Sequence, residues 1–166
     1  MYQAISWDAR DTDEGYNITV YGRDDCGKTV SVSTLFPPYF FVEVPSTETC
    51  ESLKAQLKVP CQIISAKRLW GFTNNTLKTF LKLNFTKLAE MKSFSWECKR
   101  RKLNVYESNI DPLLRFLHRT GVQSTGWFTV SGPYEPDFST TCTKRIFVPN
   151  WSSIKPVERD DICKLR

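Results

Sequence analysis

Four consecutive cations, Lys99, Arg100, Arg101 and Lys102, follow shortly after Trp96 and form the densest positive run in the chain. Two similar groups precede them, Lys67, Arg68 and Trp70, then Lys78, Phe80 and Lys82. Cations interleaved with aromatic rings suit the binding of single-stranded nucleic acid: the backbone is held electrostatically, and unpaired bases stack on the rings at roughly 1–3 kcal/mol each. The charge distribution agrees. Residues 1–60 carry 5 Lys and Arg against 9 Asp and Glu, residues 61–105 carry 10 against 2, and residues 106–166 carry 8 against 7. The net charge of +5 therefore comes from the middle of the chain, as contact with a polyanion would require. A Lys-rich solvated surface would leave the same imbalance, and a helix C-terminus would account for one or two of the cations at 99–102, though not for four.

Catalytic chemistry has less to draw on. Asp11, Asp13, Glu14, Asp24 and Asp25 cluster in stretches that read as hairpin turns, where Asp is favoured by hydrogen bonding to its own backbone, and Asp160 and Asp161 have the same standing. The single histidine, His118, has no Ser, Cys or carboxylate pattern around it that would mark a triad or general base. Cys26, Cys50, Cys61, Cys98, Cys142 and Cys163 include no CxxC pair, so the ligand spacing of structural zinc is missing. Three disulfides and the sequons at Asn17, Asn74, Asn84 and Asn150 would suit a secreted protein. Against this, residues 1–10 lack the basic start and apolar centre of a signal peptide, and no apolar run approaches the ~20 residues that span a bilayer. The chain is read as soluble and intracellular, without a membrane partner, its cysteines reduced and in the core.

The elements that must position these residues follow from periodicity and punctuation. With 166 residues, 40% hydrophobic and 13% aromatic, the chain can build an ordinary core in one domain or two small lobes. Residues 20–23 and 29–33 read as a hairpin about the turn at 24–27, with 2–7 a third strand beside it. From 39 to 106 the order is strand, helix, strand, strand, helix, strand. The strands fall at 39–44, 63–69, 77–85 and 103–106, joined in the middle by the turn at 71–75. Ser46 or Thr47 caps the first helix, which Pro60 ends, and Thr86 caps the second, in which Leu88, Met91 and Ser95 or Trp96 point inward. In the strand at 77–85, Thr79, Leu81, Leu83 and Phe85 face one way, and Phe80, Lys82 and Asn84 the other. Asp111 as N-cap, Pro112 at the first helical position and Gly121 past the end frame a short helix. Leu113, Phe116 and Leu117 share one of its faces with Leu114 beside them, while Arg115, His118 and Arg119 lie away from its centre. Residues 126–131 and 144–148 read as a second β pair.

One run is more particular than a capped helix requires. Tyr106 to Gly121, YESNIDPLLRFLHRTG, resembles a segment in the N-terminal part of family B DNA polymerases, especially the replicative enzymes of large eukaryotic DNA viruses and their relative polymerase delta. The likeness continues in Tyr16 to Pro45, which resembles the family's opening hairpin and Pro-Tyr-Phe strand, in the "G-F" turn at Arg68 to Phe72, and in Lys78 to Phe85. Trp151 to Arg166 resembles the linker into the exonuclease domain, with Lys164 where proline would be expected. The tail has no Asp-x-Glu, and the polymerase-site string Tyr-Gly-Asp-Thr-Asp-Ser does not occur.

The resulting expectation is an α+β chain. It has an N-terminal β-hairpin sheet over 1–38, a ferredoxin-like, RNA-recognition-motif-like βαββαβ lobe over 39–106, and a helix, β pair and linker over 107–166. The resemblance implies a non-catalytic N-terminal domain of a DNA-directed DNA polymerase acting in DNA replication. It would support the exonuclease and palm domains and guide single-stranded template. This chain alone would then catalyse nothing and hold no cofactor, divalent metal such as Mg belonging to the catalytic domains. Its partners would be single-stranded DNA or RNA and those domains, in a monomer at a nuclear or cytoplasmic replication site. Two rivals are an autonomous single-stranded RNA- or DNA-binding module and a scaffold whose basic middle meets acidic protein.

Overall fold

A computed structural model describes residues 1–45, 47–67, 76–132, 135–136 and 144–159. In chain order it contains β1 (Tyr2–Asp11), β2 (Tyr16–Asp24), β3 (Thr29–Leu35), β4 (Tyr39–Val44), α1 (Thr47–Leu57), β5 (Cys61–Lys67), β6 (Leu77–Asn84), α2 (Leu88–Arg100) and β7 (Val105–Tyr106). Then follow α3 (Pro112–Thr120), β8 (Trp127–Val130), β9 (Glu135–Pro136), β10 (Lys144–Val148), a 3-10 turn at Trp151–Ser153 and β11 (Ile154–Val157). The chain divides into two compact units, one of Met1–Phe36 with Asp111–Arg166 and one of Pro37–Ile110.

The first unit is built on a seven-stranded sheet ordered β11-β8-β1-β2-β3-β10-β9. Its β2–β3 hairpin turns where the sequence predicts. Asp24 Oδ1 accepts from the N–H groups of Cys26 and Lys28 at 2.9 Å each, which uses that carboxylate locally. Cys26 is exposed in this turn, so the expectation that the cysteines sit in the core fails there. The β1–β2 register shifts between Ala4 and Ser6, leaving Ile5 as the extra residue of a bulge. Beside it the Gln3 carbonyl oxygen lies 2.1 Å from where a Cβ on Gly22 would stand, so only glycine fits.

The second β pair does not form as expected. β8 pairs antiparallel with β1 and β11, whereas β10 pairs parallel with β3, so the two lie on opposite sides of the hairpin strands. Both are short, and a short run's composition says that it will pair without saying with what. α3 keeps its expected frame: Asp111 Oδ1 accepts from the Leu113 N–H at 2.7 Å, Pro112 opens the helix, and Gly121 follows it at φ 75°, its N–H on the Leu117 carbonyl. Its buried stripe is nevertheless Pro112, Arg115 and Phe116, while Leu114 is 64% exposed and Arg115 only 7%. Phe116 keeps its expected inward place, its ring centroid lying 5.9 Å from Trp7, 5.6 Å from Phe36 and 6.4 Å from Trp151.

The second unit is a four-stranded antiparallel sheet ordered β5-β6-β4-β7. Phe40, Val42 and Val44 of β4 and Leu81 and Leu83 of β6 pack with Leu57 of α1 and Met91 and Cys98 of α2, which places both helices over one face. α2 starts one residue later than Thr86 would cap it. Lys87 is its N-cap, with no side-chain hydrogen bond to the first turn.

Two measurements follow. Gly22→Ala should lower the free energy of unfolding by about 3 kcal/mol in a denaturant titration, at the upper end of overpacking costs because the obstruction is backbone. Tyr16 is buried, and burial first, then the carboxylates of Asp111, Asp11 and Asp8, raise its phenol to about 12 from 10.0. Its neutral form is thus favoured by folding. That stability is fully present below pH 10 and lost as pH rises through 12, at up to about 1.4 kcal/mol per pH unit. Stability measured across this window should fall more steeply for the wild type than for Tyr16→Phe.

Candidate nucleic-acid interface

Strand alternation in β6 sends Leu81 and Leu83 into the core, so Lys78, Phe80 and Lys82 fall on the face away from the helices. The register adds residues that sequence reasoning missed. Tyr39, Phe41 and Glu43 of β4 stand opposite Asn84, Lys82 and Phe80, and Tyr106 of β7 stands opposite Phe41, so all share that face. The alternation of YFFVEV at 39–44 was the available signal for Tyr39 and Phe41.

Most of these side chains engage one another. Lys82 Nζ lies 4.0 Å from the centre of the Tyr39 ring, and Tyr39 meets Phe41 edge-on at 5.6 Å. Phe80 packs edge-on against Tyr106 at 5.6 Å, and the Tyr106 hydroxyl donates to Glu43 Oε2 at 2.8 Å. Phe80 is only 6% exposed, so it offers little ring to a base. Lys78 is half-buried, and Lys67 is exposed at the end of β5. Arg68 and Trp70, with the "G-F" turn they belong to, lie outside the described residues, as do Asp160 and Asp161.

The run at 99–102 lies at the C-terminal end of α2, on the other side of the sheet, and its four members differ. Lys99 and Arg100 are exposed in the last helical turn. Arg101 pairs with Glu97 one turn back. Lys102 has φ 60°, its N–H donating to the Lys99 carbonyl at 2.9 Å, while the Leu103 N–H donates to the Cys98 carbonyl at 3.0 Å. This pair of bonds is a Schellman ending with lysine in the left-handed position that glycine usually takes, and Leu103 packs on the core beside Cys98 as that motif favours. Arg101 is thus engaged along the helix and Lys102 stands at its left-handed ending. Between the two inward options, Ser95 is buried and Trp96 is 71% exposed.

Burial raises the thiols of Cys61 and Cys98, away from the thiolate that nucleophilic or metal chemistry uses. Among the described residues no three His, Cys, Asp or Glu side chains gather as a metal site would. Among them, too, no helix is long and apolar enough to cross a membrane. Charge segregates by unit. Residues 37–110 carry twelve Lys and Arg against six Asp and Glu, and the rest of the chain carries eleven against twelve.

No family model matches the chain. Its homologues are DNA polymerases of large viruses and of a herpesvirus. It is 27% identical over 127 residues to a DNA polymerase of Paramecium bursaria Chlorella virus NY2A, covering 70% of this chain and 14% of that protein. It is 26% identical over 205 aligned residues to a DNA polymerase of Acanthamoeba polyphaga mimivirus, covering 96% of this chain and 12% of the relative. To the DNA polymerase catalytic subunit of Human herpesvirus 7 it is 22% identical over 128 residues, 70% of this chain and 13% of that one. The chain thus spans only a small part of the length of these relatives. In three dimensions it resembles the family B DNA polymerase of the archaeon Pyrobaculum calidifontis with a TM-score of 0.69 at 15% identity, over 93% of this chain and 20% of that one. That likeness concerns the fold, a mixed α+β arrangement with two sheets and, among the described residues, three helices.

Because Lys102 holds a left-handed conformation that costs an L-residue about 1–2 kcal/mol, Lys102→Gly should stabilise the protein by about 1 kcal/mol, read as a higher denaturation midpoint.

Proposed function

We propose that this chain is the N-terminal, non-catalytic domain of a family B DNA-directed DNA polymerase that acts in DNA replication. The observation that carries this is the sequence similarity to viral DNA polymerases over 70–96% of the chain, matched to only 12–18% of each relative from Chlorella virus, mimivirus and Phaeocystis pouchetii virus. The strand order supports it. Counted within the second unit the strands run 2-3-1-4, all antiparallel with both helices on one face, as a ferredoxin-like lobe would have them. In this reading nucleotidyl transfer, proofreading and the divalent metal such as Mg they use belong to exonuclease and palm domains, which this chain supports. The basic second unit guides single-stranded DNA template, as a monomer at an intracellular replication site. The autonomous single-stranded RNA- or DNA-binding module and the protein scaffold have no comparable support.

Fluorescence anisotropy with a labelled single strand over a salt series tests the template role. Affinity should fall linearly in log–log form with a slope of about −0.7 per phosphate neutralised, and Lys99→Glu with Arg100→Glu should weaken binding and flatten that slope. Absence of binding at low salt would overturn the template role.

A further inference from the structure

α2 has two opposed stripes. Met91, Ser95 and Cys98, at i, i+4 and i+7, face the core. Opposite them stands Trp96, the most exposed large apolar side chain among the described residues. One exposed apolar residue needs no explanation by itself. The setting of this one does. Lys92, Lys99 and Arg100, at i−4, i+3 and i+4 from Trp96, are all exposed, with Cβ atoms about 5–6 Å from its own. The two acids of the helix, Glu90 and Glu97, lie about 100–120° around the axis at 100° per residue, and Glu97 is paired with Arg101. The outer stripe therefore presents one indole and three cations, and the carboxylate that borders it, Glu97 at i−3 from Arg100, is paired with Arg101.

That composition selects its occupant. A lipid surface needs a broad apolar face, and the α2 residues at i±3 and i±4 from Trp96 are Lys92, Ser93, Lys99 and Arg100, none of them apolar. An acidic protein segment would satisfy the cations but has no particular use for an indole face. A single-stranded nucleic acid uses both, since a base stacks on the ring while the phosphates on either side meet the cations. On the sheet face, by contrast, Phe80 is buried against Tyr106 and Lys82 covers Tyr39. We infer that Lys92, Trp96, Lys99 and Arg100 on the outer face of α2 form a single-strand binding surface in which Trp96 stacks on an unpaired base. This rests on the proposed template role and names the surface that performs it.

The test uses the whole 166-residue chain and a fluorescein-labelled single-stranded DNA of about 16 nucleotides, beside a duplex of the same sequence. At fixed salt, Trp96→Ala should weaken single-strand binding about 5- to 150-fold without changing the salt slope or the melting temperature, and Trp96→Phe should restore most of the loss. Lys92→Gln, Lys99→Gln and Arg100→Gln should each reduce the slope by about 0.7. Duplex binding, whose bases are already stacked, should be indifferent to Trp96→Ala. If the wild type binds but Trp96→Ala binds equally well, or loses single strand and duplex alike, the stacking surface is overturned while the template role stands. If the wild type binds no single strand at low salt, both are overturned.

Discussion

The second unit depends on one apolar layer, the side chains of β4 and β6 that meet α1 and α2. Phe40, Val42, Leu81 and Leu83 are completely buried there. Strand side chains alternate strictly, so burying these residues sends Tyr39, Phe41, Phe80 and Lys82 to the opposite face. A slip of one residue in β6 would bury Lys82 and expose Leu81 and Leu83, which is why hydrophobic burial alone fixes this register. The same layer orients α2. With Met91, Ser95 and Cys98 turned inward, the helical period leaves Trp96, Lys99 and Arg100 no position but the outside. Both cationic surfaces of the lobe are thus by-products of where its core lies.

The segment Tyr106–Gly121 gains a physical account from the division of the chain. Its first residues complete the second unit: Tyr106 pairs with Phe41, donates to Glu43 and supports Phe80. Glu107 then turns the backbone through φ 60°. From Asp111 the same segment serves the first unit, where Phe116 gathers Trp7, Phe36 and Trp151 from segments far apart in sequence. Two separate packing duties meet within sixteen residues. Capping and amphipathicity describe only the second, so they left Tyr106 to Asn109 unexplained.

What was legible in the sequence is what local chemistry determines. Asp111, Pro112 and Gly121 act at the ends of α3 because caps satisfy neighbouring backbone groups. The hairpin at Asp24 and the alternation of β6 are equally local. Pairing was not legible, because β8 and β10 carry no mark of their partners and β10 joins β3 in parallel across a long connection. The helix faces were legible only in part. Phe116 points inward as its spacing predicts, while Arg115, read as lying away from the face, is buried beside it, a detail that amphipathic periodicity alone does not mark. Within the cationic run, nothing in four adjacent letters separates Lys99 and Arg100 from Lys102, whose left-handed backbone belongs to the helix ending. The aromatic partners of Lys82 and Phe80 came from β4 and β7, contacts visible only once register is known.

The parallel pairing of β10 with β3 also bears on how the protein is made. About 110 residues separate the two strands, and the whole second unit is encoded between them. At a synthesis rate of about 5–20 residues per second, the outer edge of β3 waits about 5–20 s after leaving the ribosome before its partner exists. The second unit closes its sheet within its own span and needs no such delay. During that interval β3 shows an unpaired edge of alternating Val, Ser and Thr, the kind of edge that captures foreign strands. The order in which the chain is made therefore completes the inserted lobe before the sheet whose strands flank it in sequence.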